Sequence, residues 1–191
     1  MNAAELKIAD PKRFDKEYYK WLQHALDYNW SEGVNDMFIE DCKPKGIWVD
    51  DIRFSLPGSA TFSGRMDVAM FMERSGLAEQ YPALYLAVKD DGSRGHVTCT
   101  RNNNPSVSFD SYARHTYPLG MFSGLDQQAW EELIDSQEAA VDLEKLMQEE
   151  AVDLSNELYT MLCNEEEYLT SEAAYIEYCE ANDITFETEE A

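Results

Sequence analysis

Between residues 126 and 191 the chain has almost no positive charge: Lys145 stands alone against 21 Asp and Glu, a net −20 over 66 residues. Residues 1 to 125 are ordinary by comparison, with 17 acidic and 14 basic residues and a net −3. A binder of DNA or RNA must neutralise phosphates, so this shortage of Lys and Arg argues against direct nucleic-acid contact. Charge segregated in this way points to a partner-facing surface.

Other absences narrow the function further. The start, "MNAAELKIADPKRF", has no basic cluster followed by an apolar run, and no stretch approaches the length of an uncharged membrane span. The expectation is a cytoplasmic protein without a membrane partner. Cys42, Cys99, Cys163 and Cys179 form no close pair, so neither a disulfide framework nor a zinc site is suggested, and the thiols should be reduced and mostly buried. His24, His96 and His115 lack ligand spacing, and His24, beside the apolar face of the first helix, reads as structural. No GxxxxGK[ST] or GxGxxG exists, and "KDDGSRGHVTCT" lacks the closing Glu of a calcium loop. No cofactor and no metal are expected.

Aromatics are not scarce, at 12% with eleven Tyr and four Trp, and 44% of the chain is hydrophobic, so most of it should fold. "ADPKRFDKEYYKWLQHALDYNW" reads as one helix, capped by Asp10 with Pro11 at its first position and Phe14, Tyr18, Trp21, Leu22, Ala25 and Tyr28 on one face. Ser31 can cap a shorter helix that ends before "KPKG". "GIWVDDIRFSL" and "ATFSGRM" alternate as strands around a Pro-Gly turn of more than two residues. "DVAMFMERSGLAEQYP" follows as a helix, with Gly76 as C-cap and Pro82 as a stop. "ALYLAV", "HVTCT" and "SVSFDSYA" then read as a three-strand meander.

From Leu125 onward the pattern is helical until a last short strand, "ITFE". Asp126 can cap a helix carrying Trp130, Leu133, Ile134, Ala140, Val141 and Met147. A second run, about 149 to 163, has Leu154, Leu158, Met161 and Leu162 on one stripe and Glu149, Glu150, Asp153 and Glu157 on another. Thr170 or Ser171 caps a last helix, and "ETEEA" should fray. The fold class expected is α+β: an antiparallel sheet of about four to five strands flanked by N-terminal helices. Residues 1–125 form the body, and the acidic helical region 126–191 packs on it as one domain.

The stretch "IRFSLPGSATFSGRMD", followed by a helix and "YPALYL", resembles small accessory proteins of tailed bacteriophages, in which a strand leads through a Gly-rich, Ser-containing turn to a Phe and then Gly-Arg. This chain departs from them in its short Pro-Gly turn, where they carry a longer Gly/Asp-bearing loop. The resemblance implies a phage accessory protein, and host-cell cytoplasm as its location, with no activity attached.

Twenty net charges over 66 residues place one about every 5 Å along a single helix, and about every 2.5 Å along two helices packed side by side. Duplex DNA carries one per about 1.7 Å. The leading expectation is a phage-type inhibitor that mimics DNA, anti-restriction or anti-CRISPR in character, and blocks the basic groove of a host DNA- or RNA-binding protein. Its contact residues would be Glu149, Glu150, Asp153, Glu157, Glu165, Glu166, Glu167, Glu172, Glu177 and Glu180, with Trp130 and Tyr168 as further anchors. The rivals are a small metal-dependent enzyme using Asp50, Asp51, Arg53, Arg65 and Asp67 on the sheet loops, and an acidic scaffold that oligomerises, for instance as a homodimer. A carboxylate-and-lysine nuclease would need an acid two positions before Lys89, and that position is Ala87.

Overall fold

The computed structural model describes residues 1–27, 29–91, 94–100, 104–109 and 137–187. It divides into two compact units, one made of Met1–Val34 with Met161–Ala191, the other of Asn35–Thr160. The acidic third is thus shared between both units.

The first unit is helical. Asn2 and Glu5 close a capping box at the start of α1 (Ala3–Ala9), each side chain accepting from the other residue's backbone N–H. Asp10 caps α2 (Pro11–Leu22) by accepting from Arg13 N at 3.1 Å, with Pro11 at the first helical position as expected. The helix is shorter than its apolar pattern implied. His24 N and Ala25 N donate to the carbonyls of Trp21 and Leu22, an i to i−3 closure that ends the helix and leaves His24 exposed. His24 therefore does not lie beside a buried face. Ser171 caps α8 (Glu172–Ala181) through Ala174 N, and Ala3, Leu6, Phe14, Tyr175 and Cys179 form the core of this unit. "ITFE" does not form a strand: residues 184–187 are irregular, although Phe186 N donates to the Met1 carbonyl at 2.9 Å and the Phe186 carbonyl accepts from Met1 N at 2.8 Å.

The second unit is α+β. After α3 (Glu32–Cys42) and a 3-10 turn (Lys43–Lys45), Gly46 adopts φ +75°, a left-handed turn that favours glycine, and accepts from Asp67 N. Strands β1 (Ile47–Ser55) and β2 (Ser59–Asp67) follow, joined by the three residues 56–58, so the turn is longer than two residues as anticipated. β3 (Arg94–Thr100) and β4 (Asn104–Phe109) complete a sheet of order β1-β2-β3-β4, antiparallel throughout. β2 alternates strictly, burying Ala60, Phe62, Gly64 and Met66 and turning Thr61, Ser63 and Arg65 outward.

The three-strand meander keeps two strands, because "ALYLAV" lies in a helix. Apolar runs of this length suit either state. Here Pro82 starts α6 (Pro82–Asp91) rather than stopping its predecessor, after α4 (Val68–Ser75), the Gly76 cap at φ +78° and the short α5 (Leu77–Gln80). Helical spacing then brings Tyr85 and Lys89 together onto Glu73, which Tyr85 and Lys89 hold below the usual carboxylate range by hydrogen bonding.

The long helix α7 (Gln137–Leu169) is continuous where two runs were anticipated. Leu143, Met147, Ala151, Leu154 and Leu158 are buried along it, and Ser155 Oγ donates to the Ala60 carbonyl of β2 at 2.6 Å. The helix expected at Asp126 with Trp130, Leu133 and Ile134, and the fraying of "ETEEA" after Glu187, lie outside the described residues.

Among the described cysteines, Cys42 and Cys179 are buried and Cys163 is half-buried. Burial pushes the Cys42 thiol from 9.0 up to about 11, with Lys45 opposing and Glu157, Asp41 and Glu150 adding. The protonated thiol is thus favoured in the folded state, and its stabilisation is complete below the unfolded thiol's value and lost as the pH rises from about 9 to about 11. About 2–3 kcal/mol should disappear over that range. Urea midpoints measured across it should fall for the native chain and fall less for Cys42→Ala; equal slopes would refute the account.

Candidate acidic interface

The carboxylates of α7 arise from a helix whose inner side is fixed by apolar burial. Glu149, Asp153 and Glu157 recur at i, i+4 and lie on its exposed side. Glu150 is turned inward by one helical position. Its two oxygens accept from Arg74 Nη1 at 2.8 Å and Nη2 at 3.2 Å, and Arg74 also donates to the Lys45 carbonyl at 2.9 Å. Lys45 Nζ lies 3.7 Å from Glu157, and Lys145 lies 3.8 Å from Glu149. The second unit's four predicted contact residues therefore stay together, but only Asp153 among them has no ion pair within the described residues. A surface pocket of about 280 Å³ lies beside them, between Phe71 and Arg74 on one side and Leu146, Glu149, Glu150 and Asp153 on the other.

The other six carboxylates belong to the first unit. Glu172 pairs with Lys7 at 2.5 Å, and Glu177 lies 3.5 Å from the Tyr168 hydroxyl. Glu167, Glu177 and Glu180 are exposed, whereas Glu165 and Glu166 are half-buried. Tyr168, one of the two predicted anchors, is 55% exposed; Trp130 lies outside the described residues.

This geometry changes the expected charge density. Residues 149–160 lie in a single helix packed on its apolar side, so no doubled line of charge from two packed helices is present there among the described residues. Ten carboxylates against Lys145 along a 33-residue helix, roughly 50 Å long, give a net charge about every 5–6 Å. That is sparser than duplex DNA and nearer to the 3.4 Å spacing along one of its strands.

The residues named for the enzymatic rival are engaged in structural roles. Asp51 pairs with Arg53 at 2.7 Å, Asp50 with Arg65 at 3.4 Å, and Asp67 caps α4 by accepting from Met70 N at 2.9 Å. Lys89 sits on α6 against Tyr85 and Glu73, not on a strand. Asp90 and Asp91 end that helix. Among the described residues, no group of three or more His, Cys, Asp or Glu is placed to hold a metal ion. No helix among them is long and apolar enough to cross a membrane.

Sequence reasoning missed the cations that neutralise this surface, because Arg74 and Lys45 lie far from Glu150 and Glu157 in the chain. On α2 and α8, Tyr19 and Tyr178 are 63% and 44% exposed. Comparison with protein-family models, curated proteins and solved structures finds no match to the chain.

Proposed function

We propose that the chain is a phage-type inhibitor protein that binds a basic host DNA- or RNA-binding protein through its acidic C-terminal helices and competes with nucleic acid for that protein's groove. One observation carries the reading: α7 holds Glu149, Asp153 and Glu157 outward at fixed i, i+4 positions while its apolar stripe is buried. Repulsion between neighbouring carboxylates costs a few tenths of a kcal/mol per pair, which burial offsets. The charge is displayed on a rigid rod instead of a loose tail.

The spacing on α7 suits Lys and Arg that would otherwise meet the phosphates of one strand. Charge steers the two proteins together, and salt weakens the complex. The target is a host defence or DNA-handling enzyme, and no cofactor takes part.

The test is affinity capture from bacterial lysate at about 0.1 M and about 0.5 M salt, where the screening length roughly halves. Glu149→Gln/Asp153→Asn/Glu157→Gln serves as the comparison. The expected result is a nucleic-acid-binding protein retained by the native chain at low salt, released by duplex DNA and held at least about tenfold less by the variant, a loss of about 1.4 kcal/mol. Equal retention by both chains would refute the proposal, as would the absence of any such partner.

A further inference from the structure

After α8 the first unit carries a short arm with a hinge. Along residues 184–187 Ile184 and Phe186 are half-buried and pack against the cluster of Ala3, Leu6, Phe14, Tyr175 and Cys179, while Thr185 and Glu187 are exposed. The main chain of the arm is held as well. Phe186 N donates to the Met1 carbonyl at 2.9 Å, Met1 N donates to the Phe186 carbonyl at 2.8 Å, and Arg13 Nη1 donates to the Glu187 carbonyl at 2.9 Å. Main-chain bonds with alternate side chains packed inward are how proteins recognise extended peptides.

The arm returns to this seat through a single reversal. Ile184 N donates to the Cys179 carbonyl at 2.8 Å and Asp183 N to the Glu180 carbonyl at 3.2 Å, a helix stop that usually places glycine at its left-handed position. Here that position is Asp183, at φ +52°, the one non-glycine residue with positive φ among those described. The turn therefore carries a backbone cost that glycine would avoid. The bonds to Met1 and Arg13 do not depend on the turn, and they are the same whichever chain supplies the arm. Straightening the chain at Asp183 removes the cost, and an arm from another copy refills the seat without any new interface.

We propose that segment 184–187 is an exchangeable arm, and that its seat beside Met1 and Arg13 accepts the same arm from a second copy of the chain. Reciprocal exchange gives a closed pair, each copy filling the other's seat. In dilute solution the tethered arm wins, because its effective concentration beside its own seat is about millimolar. The net charge of −23 on each copy opposes pairing, so salt favours the exchanged form. The inference is independent of the acidic interface.

The experiment measures the full chain by size-exclusion chromatography with light scattering, from dilute to about millimolar concentration in about 0.5 M salt. Asp183→Pro fixes φ at about −65° and cannot make the reversal, so it should pair at least about tenfold more tightly than the native chain. Asp183→Gly takes the left-handed turn without steric cost and should pair no more tightly than the native chain. Both variants remove the same charge, so their difference isolates the backbone. Asp183→Pro/Ile184→Ser/Phe186→Ser, whose arm no longer packs, should stay monomeric. A monomeric Asp183→Pro chain would overturn the exchange, and so would pairing by the triple variant. If Asp183→Pro does not fold, native and Asp183→Gly chains refolded from urea at about millimolar concentration decide the matter. A smaller dimer fraction for the glycine variant supports the arm, and equal fractions overturn it.

Discussion

Gly64→Ala is expected to destabilise the second unit by about 3 kcal/mol or more, a large effect for the addition of one methyl group. A Cβ at position 64 would overlap the Trp48 carbonyl oxygen and lie 3.0 Å from its carbon and 3.1 Å from Val49 Cα. These are backbone atoms of the neighbouring strand, and no rotamer change can move them aside. The close approach arises at the β-bulge, where the register of β1 against β2 shifts between Val49 and Asp51 and leaves Asp50 as the extra residue. Urea unfolding followed by tryptophan fluorescence would measure the loss. Gly33→Ala, where an added Cβ meets nothing within 4 Å, should be mild by comparison. A Gly64→Ala chain as stable as the native one would show that β1 can slide away from β2 without losing the pairing.

Arg74→Ala should move stability and partner binding in opposite directions. Arg74 and Glu150 are 35% and 18% exposed at their side chains, and the guanidinium also bonds the Lys45 carbonyl and lies 5.6 Å from the Phe71 ring. Removing it leaves a half-buried carboxylate without its cation and a carbonyl without its donor, a loss of about 2–3 kcal/mol for a pair at this depth. The same change adds one unit of net negative charge beside Glu149 and Asp153. Binding to a basic partner at low salt should therefore hold or strengthen while the melting temperature falls. A fall in both would mean that the acidic stripe depends on Arg74 for its geometry, and a fall in neither would mean that the pair contributes nothing measurable.

The sequence was informative where the physics is local. Asp10 and Pro11 at the start of α2, Ser171 at the start of α8 and Gly76 at the end of α4 act over three or four residues, and each stands where the pattern places it. The strict alternation of β2 identified its buried face. The capping box of α1 is equally local, lying within "NAAE". "ALYLAV" failed for the opposite reason: six mostly apolar residues carry no period that separates strand from helix, and what decides is Pro82 before them and Glu73 within reach of Tyr85 and Lys89.

The candidate interface was half legible. The i, i+4 row of Glu149, Asp153 and Glu157 follows from helical spacing alone, and so does the opposite stripe of Leu154 and Leu158. The pairing of Glu150 with Arg74 and of Glu157 with Lys45 depends on how the helix is set against α4 and the turn before β1, which no local pattern encodes. A sum of charges over 66 residues consequently overstated the density that any one face presents.

The first unit is built from both ends of the chain, Met1–Val34 and Met161–Ala191, with the whole of the other unit between them in sequence. During synthesis the α1 and α2 segments emerge before the other unit, yet Tyr175 and Cys179, which complete their core, are made after it. Closing contacts across so long a separation is slow, whereas the segment 35–160 is complete before then. Phe14, Tyr18 and Trp21 thus wait for Tyr175 while the other unit is made, an interval in which exposed apolar surface favours aggregation or capture by a chaperone.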